Sequence, residues 1–218
     1  MDDKVVISLI SVATGWLLAQ GTAFFKNLWA ARKLTSGLLT ELKDIQDQLE
    51  RVILIHHRQL QIFAHKGIEP TAALPIENMY FKQYFKEAFS HLNRSQRLSY
   101  QIIHSSLESL NKKNKDLEKF TEETYAKLIT FPHEPIALSS VNMWGDRVIS
   151  LFKTANDVRW HIQYHLRNLK SPTFDIYGAM HESYLKYDRE LDEEVKLIIE
   201  GAKKFNKADF KNSSAGKP

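Results

Sequence analysis

The sequence predicts an all-α protein: a single N-terminal transmembrane helix followed by an antiparallel bundle of four long helices plus one short helix. Three observations carry this. Val5 to Phe25 runs without a charged residue, flanked by Lys4 and Lys26. Beyond it, apolar residues recur in alternating steps of three and four over long segments, the period of a helix buried along one side. The eight glycines and six prolines are few and fall mostly between those segments. The implied organisation is a membrane-spanning helix with its basic flank over 1–33, a cytoplasmic helical bundle over 34–205, and a disordered basic tail over 206–218.

Val5 to Phe25 would rise roughly 31 Å as a helix, close to the hydrocarbon thickness of a bilayer. Lys26, Arg32 and Lys33 follow the span and Lys4 alone precedes it, so the N-terminus is expected outside and the C-terminal domain in the cytoplasm, at the inner cell membrane. Two readings compete. Ala19-Gln20-Gly21 has the small-x-small pattern of a signal-peptide cleavage site, but Asp2 and Asp3 oppose a positive n-region and Phe24-Phe25 extend the apolar run. A buried helix of a soluble protein is the third. Ser11, Gly15, Ala19 and Ala23 lie four apart on one face; small residues let helix backbones approach closely, which predicts a homo-oligomer formed through this face. Trp29 is placed as an interfacial anchor, whereas Trp16 needs a packing partner.

After the span, Leu38, Leu42, Ile45, Leu49, Val52 and His56 form a 3.5-residue seam, with Thr35-Ser36-Gly37 as a candidate fresh start. Gly67, Pro70 and Pro75 end that helix. The next is expected from about Glu77 through Leu110, opening with Tyr80, Phe81, Tyr84, Phe85 and Phe89, more aromatic surface than one stripe requires and hence a protein-binding face. Lys112 to Lys115 read as a turn, followed by a short helix with Leu117, Phe120, Tyr125, Leu128 and Ile129. A helix over about 136–169 repeats Val141, Val148, Ala155, Ile162 and Leu169, with Trp144, Leu151, Val158 and His165 between them. The last, about 174–205, carries Tyr177, Met180, Tyr184, Tyr187, Leu191, Val195, Ile198, Ala202 and Phe205.

Composition narrows the chemistry. With no cysteine there is no disulfide, thiol nucleophile or thiolate metal site. The net charge is +4, and Lys203, Lys204, Lys207, Lys211 and Lys217 against Asp209 account for 5 − 1 = +4 of it, so the body is near neutral and lacks a nucleic-acid footprint. There is no glycine-rich phosphate loop, no G-x-S-x-G elbow and no Glu-x-x-His. No cofactor and no metal is expected. Of the nine histidines, His161 and His165 are one turn apart, a chelating spacing without the H-E-x-x-H form, and His56 and His165 occupy seam positions; a satisfied core histidine is the ordinary outcome.

Arg159-Trp160-His161-Ile162-Gln163-Tyr164-His165 resembles the arginine, four to six residues, histidine motif of the helical-bundle HEPN nucleases. The family pattern usually has a polar residue after the arginine, where this chain has Trp160. The resemblance implies a histidine, His165, that moves a 2′-hydroxyl proton and an arginine, Arg159, that holds a phosphate, with RNA as substrate. Two functions are therefore carried forward. The first is a membrane-anchored interaction protein, self-associating through its span and binding a cytoplasmic protein through its aromatic helix. Its layout is similar to that of small membrane-anchored accessory proteins of bacterial defence systems, which implies a pore-forming or membrane-perturbing effector. The second is a membrane-tethered HEPN-like ribonuclease.

Overall fold

The computed structural model describes residues 3–130, 136–175 and 177–205, with side chains from Ser11 onward apart from Ala23. Five α-helices follow one another: α1 (Asp3–Ala64), α2 (Met79–Ala88), α3 (Arg94–Thr130), α4 (Leu138–Arg167) and α5 (Ala179–Ala202), with one 3₁₀ turn at Phe89–His91. No strand occurs among the described residues. The all-helical class is as the sequence predicts; five helices stand where a span and five more are expected, and two boundaries differ.

Among the described residues no helix is long and apolar enough to cross a membrane, which overturns the single-pass inner-membrane placement. The physical reason lies in the run itself. Thr14, Gln20 and Thr22 dilute that stretch, and Lys26 and Asn27 close it. The tail 206–218 lies outside the described residues.

The chain divides into two compact units, 1–41 with 79–92, and 42–78 with 93–218. In the first, Glu41 fixes the start of α2: its two carboxylate oxygens accept the backbone N–H groups of Tyr80 at 2.7 Å and Phe81 at 2.9 Å. Those amides have no partner within their own helix, and a negative charge suits a helix N-terminus. The Tyr80 ring occupies the space a Cβ on Gly37 would need. Thr35 does not cap a new helix, because its hydroxyl donates to the Ala31 carbonyl at 3.0 Å within a continuous α1.

The second unit is built on the predicted seams. Leu42, Ile45, Leu49, Val52 and His56 of α1 are buried, as are Val141, Trp144, Val148, Leu151, Ala155, Val158, Ile162 and His165 of α4. α1 ends in a Schellman arrangement, with Gly67 N–H donating to the Ile62 carbonyl and Lys66 N–H to that of Phe63. Lys66 takes the left-handed conformation, φ 58°, one residue before the glycine. The loop after it is held from inside: Gln59 donates to the Thr71 carbonyl at 2.7 Å, and Asn111 exchanges bonds with both backbone groups of Ile76.

Two expected boundaries move. The single helix over 77–110 is two, because Asn93 caps a new start: its Oδ1 accepts the Gln96 N–H at 3.0 Å and Gln96 Oε1 accepts the Asn93 N–H at 2.9 Å, a reciprocal capping box. Lys112 to Lys115 are not a turn but mid-helix in α3, and the short helix expected after them is its continuation. Lysine is a good helix former, and here Asn114 points inward. Trp144 then joins α4 to α3, donating its indole N–H to Thr121 Oγ1 at 3.1 Å.

At Gly145 α4 lies directly against α1, since an added Cβ would fall within the Phe63 ring. Gly145→Ala should therefore cost about 1–3 kcal/mol of stability despite its better helix propensity. Urea unfolding should show a lower midpoint with an unchanged slope.

Candidate functional site

Arg159 and His165 lie on α4 but serve different neighbours. The Arg159 Nη1 donates to both carboxylate oxygens of Glu50 on α1, at 3.0 and 3.2 Å, and its Nη2 bonds Asn156 Oδ1. His165 is 1% exposed; its Nδ1 is 2.7 Å from Ser99 Oγ on α3, and its ring lies 4.5 Å from that of Tyr100. Burial pushes the His165 pKa down to about 4, so the ring is neutral. A six-residue separation is about 240° around a helix, so neither side chain shares the other's face. The structure does not bring this pair onto one cleft.

His56 behaves similarly. It is fully buried, its Nδ1 lies 2.8 Å from Gln59 Oε1, and desolvation lowers its pKa.

The most perturbed group of side chains stands between α4 and α5. Asp157 is held off from water, which raises its pKa to about 6; a hydrogen bond from Tyr184 works against that shift, Asp188 adds to it, and Lys153 and Lys113 oppose it. One of its oxygens, Oδ1, is buried without a partner. One turn along, His161 stacks on Tyr184 with centroids 5.5 Å apart, and meets Trp160 and Phe174 at 5.2 and 5.6 Å. Burial lowers its pKa to about 4, and its Nδ1 is also buried without a partner. Desolvation first, then Asp157, raises the Tyr184 pKa. Trp160 is the hub, stacked on Tyr164 at 5.4 Å and edge-on to Tyr184 at 5.1 Å. Around this apolar patch α5 is clasped by polar contacts: Lys153 pairs with Asp188 at 3.3 Å and Asp192 at 2.8 Å, and Tyr187 donates to the Asn156 carbonyl at 3.1 Å.

Sequence reasoning missed Asp157, Trp160 and Tyr184 as a group. A signal existed: Asp157, His161 and Tyr164 fall within two turns beside Trp160, opposite a helix carrying Tyr184 and Tyr187.

The two predicted association surfaces both lie in the first unit. Ser11, Gly15 and Ala19 are exposed, the side chain of Ala23 lies outside the described ones, and nothing stands within 4 Å of where a Cβ on Gly15 would be. Tyr80, Phe81, Tyr84 and Phe85 are half-buried and pack along α2 itself, Tyr80 on Tyr84 at 4.6 Å and Phe81 on Phe85 at 4.4 Å. Phe89 stays exposed, as does Met79.

Compared with protein-family models, curated proteins and solved structures, the chain matches none. The functional reading therefore rests on its own residues.

The perturbed groups give a signed pH dependence. Asp157 has a folded pKa of about 6 against 3.8, so it favours folding fully below 3.8 and that contribution is lost as pH rises through 6. His161, at about 4 against 6.5, favours folding above 6.5 and loses that contribution as pH falls through 4. Asp157→Asn keeps an acceptor for Tyr184 and removes the charge. It should stabilise the protein at pH 7.5 by on the order of 1 kcal/mol, after solvent screening, and have little effect at pH 3.5. Urea unfolding of both proteins at the two pH values checks this.

Proposed function

We propose that this protein is a non-enzymatic helical-bundle interaction protein that self-associates through the N-terminal part of α1. The supporting observation is the exposure of its largest apolar side chains: Val12, Trp16, Leu17, Leu18, Phe24, Phe25 and Trp29 are all 62–69% exposed. At 3.6 residues per turn these positions fall on every side of the helix. A helix that is apolar all round is one that becomes buried, and exposed apolar surface of this extent marks an association site. A single flat partner covers only one side, so the arrangement favours a bundle of several copies. Each large side chain fully buried contributes roughly 1.5–3 kcal/mol, enough in sum to offset the about 4–15 kcal/mol lost on association. The open row of Ser11, Gly15 and Ala19 supplies the place for closest approach.

The alternative, an HEPN-like ribonuclease, needs Arg159 and His165 to address one phosphate and one hydroxyl. Their commitment to Glu50 and to Ser99 supports it less well.

Because a side chain at Gly15 meets nothing within 4 Å, Gly15→Leu with Ala19→Leu should leave the single chain folded and change only association. Sedimentation of the full-length protein should show an oligomer that the double variant weakens by at least about tenfold in dissociation constant, with unchanged helical content. A wild-type chain that stays monomeric over the concentration range would refute the proposal.

A further inference from the structure

Between α3 and α4 lies a cleft of about 130 Å³ lined by Lys113, Asp116, Arg147, Ser150 and Leu151. That is well above the roughly 10–15 Å³ a single water needs, so the cleft admits a group the size of a small tetrahedral anion. Lys113 reaches it half-buried, and its ammonium donates to Ser150 Oγ at 3.2 Å and Thr154 Oγ1 at 2.9 Å. Thr154 is saturated, since it donates to the Ser150 carbonyl at 2.7 Å. Ser150 is not: its oxygen accepts from Lys113 and its O–H remains to donate. Arg147 lies with its guanidinium carbon 4.7 Å from the Phe120 ring centroid and touches only the Asp116 carbonyl, at 3.4 Å.

The charge balance of this cleft differs from that of its neighbours on the same helix. Lys153 is neutralised by two carboxylates and Arg159 by one. Among the described residues neither Lys113 nor Arg147 has a carboxylate within ion-pair distance. Two cations and a hydroxyl therefore converge on a space sized for one anion, with donors left over. An ammonium, a guanidinium and a hydroxyl are the donor set that holds a phosphate group. The Asp116 carboxylate is exposed at the rim and opposes a negative ligand there.

We propose that this cleft binds a phosphate-class oxyanion, with Lys113 and Arg147 supplying charge, Ser150 a hydrogen bond, and Asp116 limiting the negative charge admitted. The site belongs to the second unit and does not depend on self-association.

The test is calorimetric titration of the full-length protein with two probes, inorganic phosphate and adenosine monophosphate. Saturable binding of millimolar strength or better is expected for at least one. Lys113→Met keeps the aliphatic stem and should weaken it roughly ten- to a hundredfold, Ser150→Ala should weaken it less, and Asp116→Asn should tighten it. That opposite pair of signs separates an anion site from a general loss of structure. Equal affinity for the two probes identifies free phosphate as the ligand, and tighter binding of the nucleotide identifies a phosphate monoester. Absence of saturable binding by either probe to the wild type overturns the proposal, as does binding that Lys113→Met and Asp116→Asn leave unchanged.

Discussion

The second unit depends on one constraint: polar groups carried on the apolar seams are held by partners inside, because a buried donor or acceptor without one costs about 1–3 kcal/mol. The seams of α1 and α4 are not purely apolar. They carry His56, Asn156 and His165, and the facing helix α3 contributes Ser99, His104, Asn114 and Thr121 to the interior. Each major junction answers one of these. Trp144 donates to Thr121, His165 meets Ser99, and Asn78 meets His104 at 3.2 Å. Apolar burial pulls such helices together without regard to register. These pairings admit one register, since a slip by a single turn would leave a histidine and a hydroxyl buried apart. The desolvation that lowers the His56 and His165 pKa values is the same effect seen from the proton's side: neutral rings fit the seam and charged ones do not.

The seams were legible because burial imposes their period. Leu42, Ile45, Leu49, Val52 and His56 all stand where a 3.5-residue repeat puts them, and all are buried. What the period does not reveal is a change of partner along one continuous helix. α1 carries an exposed apolar half and a buried seam without any break at Thr35-Ser36-Gly37, because Thr35 bonds back along its own helix. The α2–α3 junction was hidden differently. Aromatic residues before it and leucines after it keep a helical spacing, and neither proline nor glycine marks the gap. Asn93 and Gln96 did spell the capping pair, but such a pattern carries weight only once a break is suspected. Lys112 to Lys115 misled for the converse reason, a polar run that resembles a turn while every residue in it tolerates a helix. The apolar run near the N-terminus misled by length counted without regard to its polar interruptions.

Site residues were less legible than fold, and the reason is angular. A motif written as a spacing, such as Arg159 to His165, says nothing about facing until the helix is laid out, and six residues send the two to different neighbours. The Asp157–His161 pair, at a spacing that does share a face, became notable only when α5 brought Tyr184 against it. Its two members lean in opposite directions on titration, one preferring its proton and the other preferring to be without. The apolar hub around Trp160 thus tolerates neither charge, while the ion pairs of Lys153 at its edge retain theirs.

The two units therefore solve opposite problems. In the second, nearly all large apolar side chains of α4 are covered and many buried polar atoms find partners within the chain, Asp157 Oδ1 and His161 Nδ1 being exceptions. In the first, the carboxylate of Glu41 is fully engaged at the start of α2, yet the long apolar side chains from Val12 to Trp29 remain in the open. Leaving them there forfeits roughly 25 cal/mol for every Å² of apolar area that could be covered, and no charged residue interrupts them between Ser11 and Phe25. The self-association proposed above would cover what the first unit leaves open. A helix apolar on all sides is covered only by neighbours on all sides, and under that proposal copies of itself would be those neighbours, each bringing the same uncovered surface and the same small-residue face.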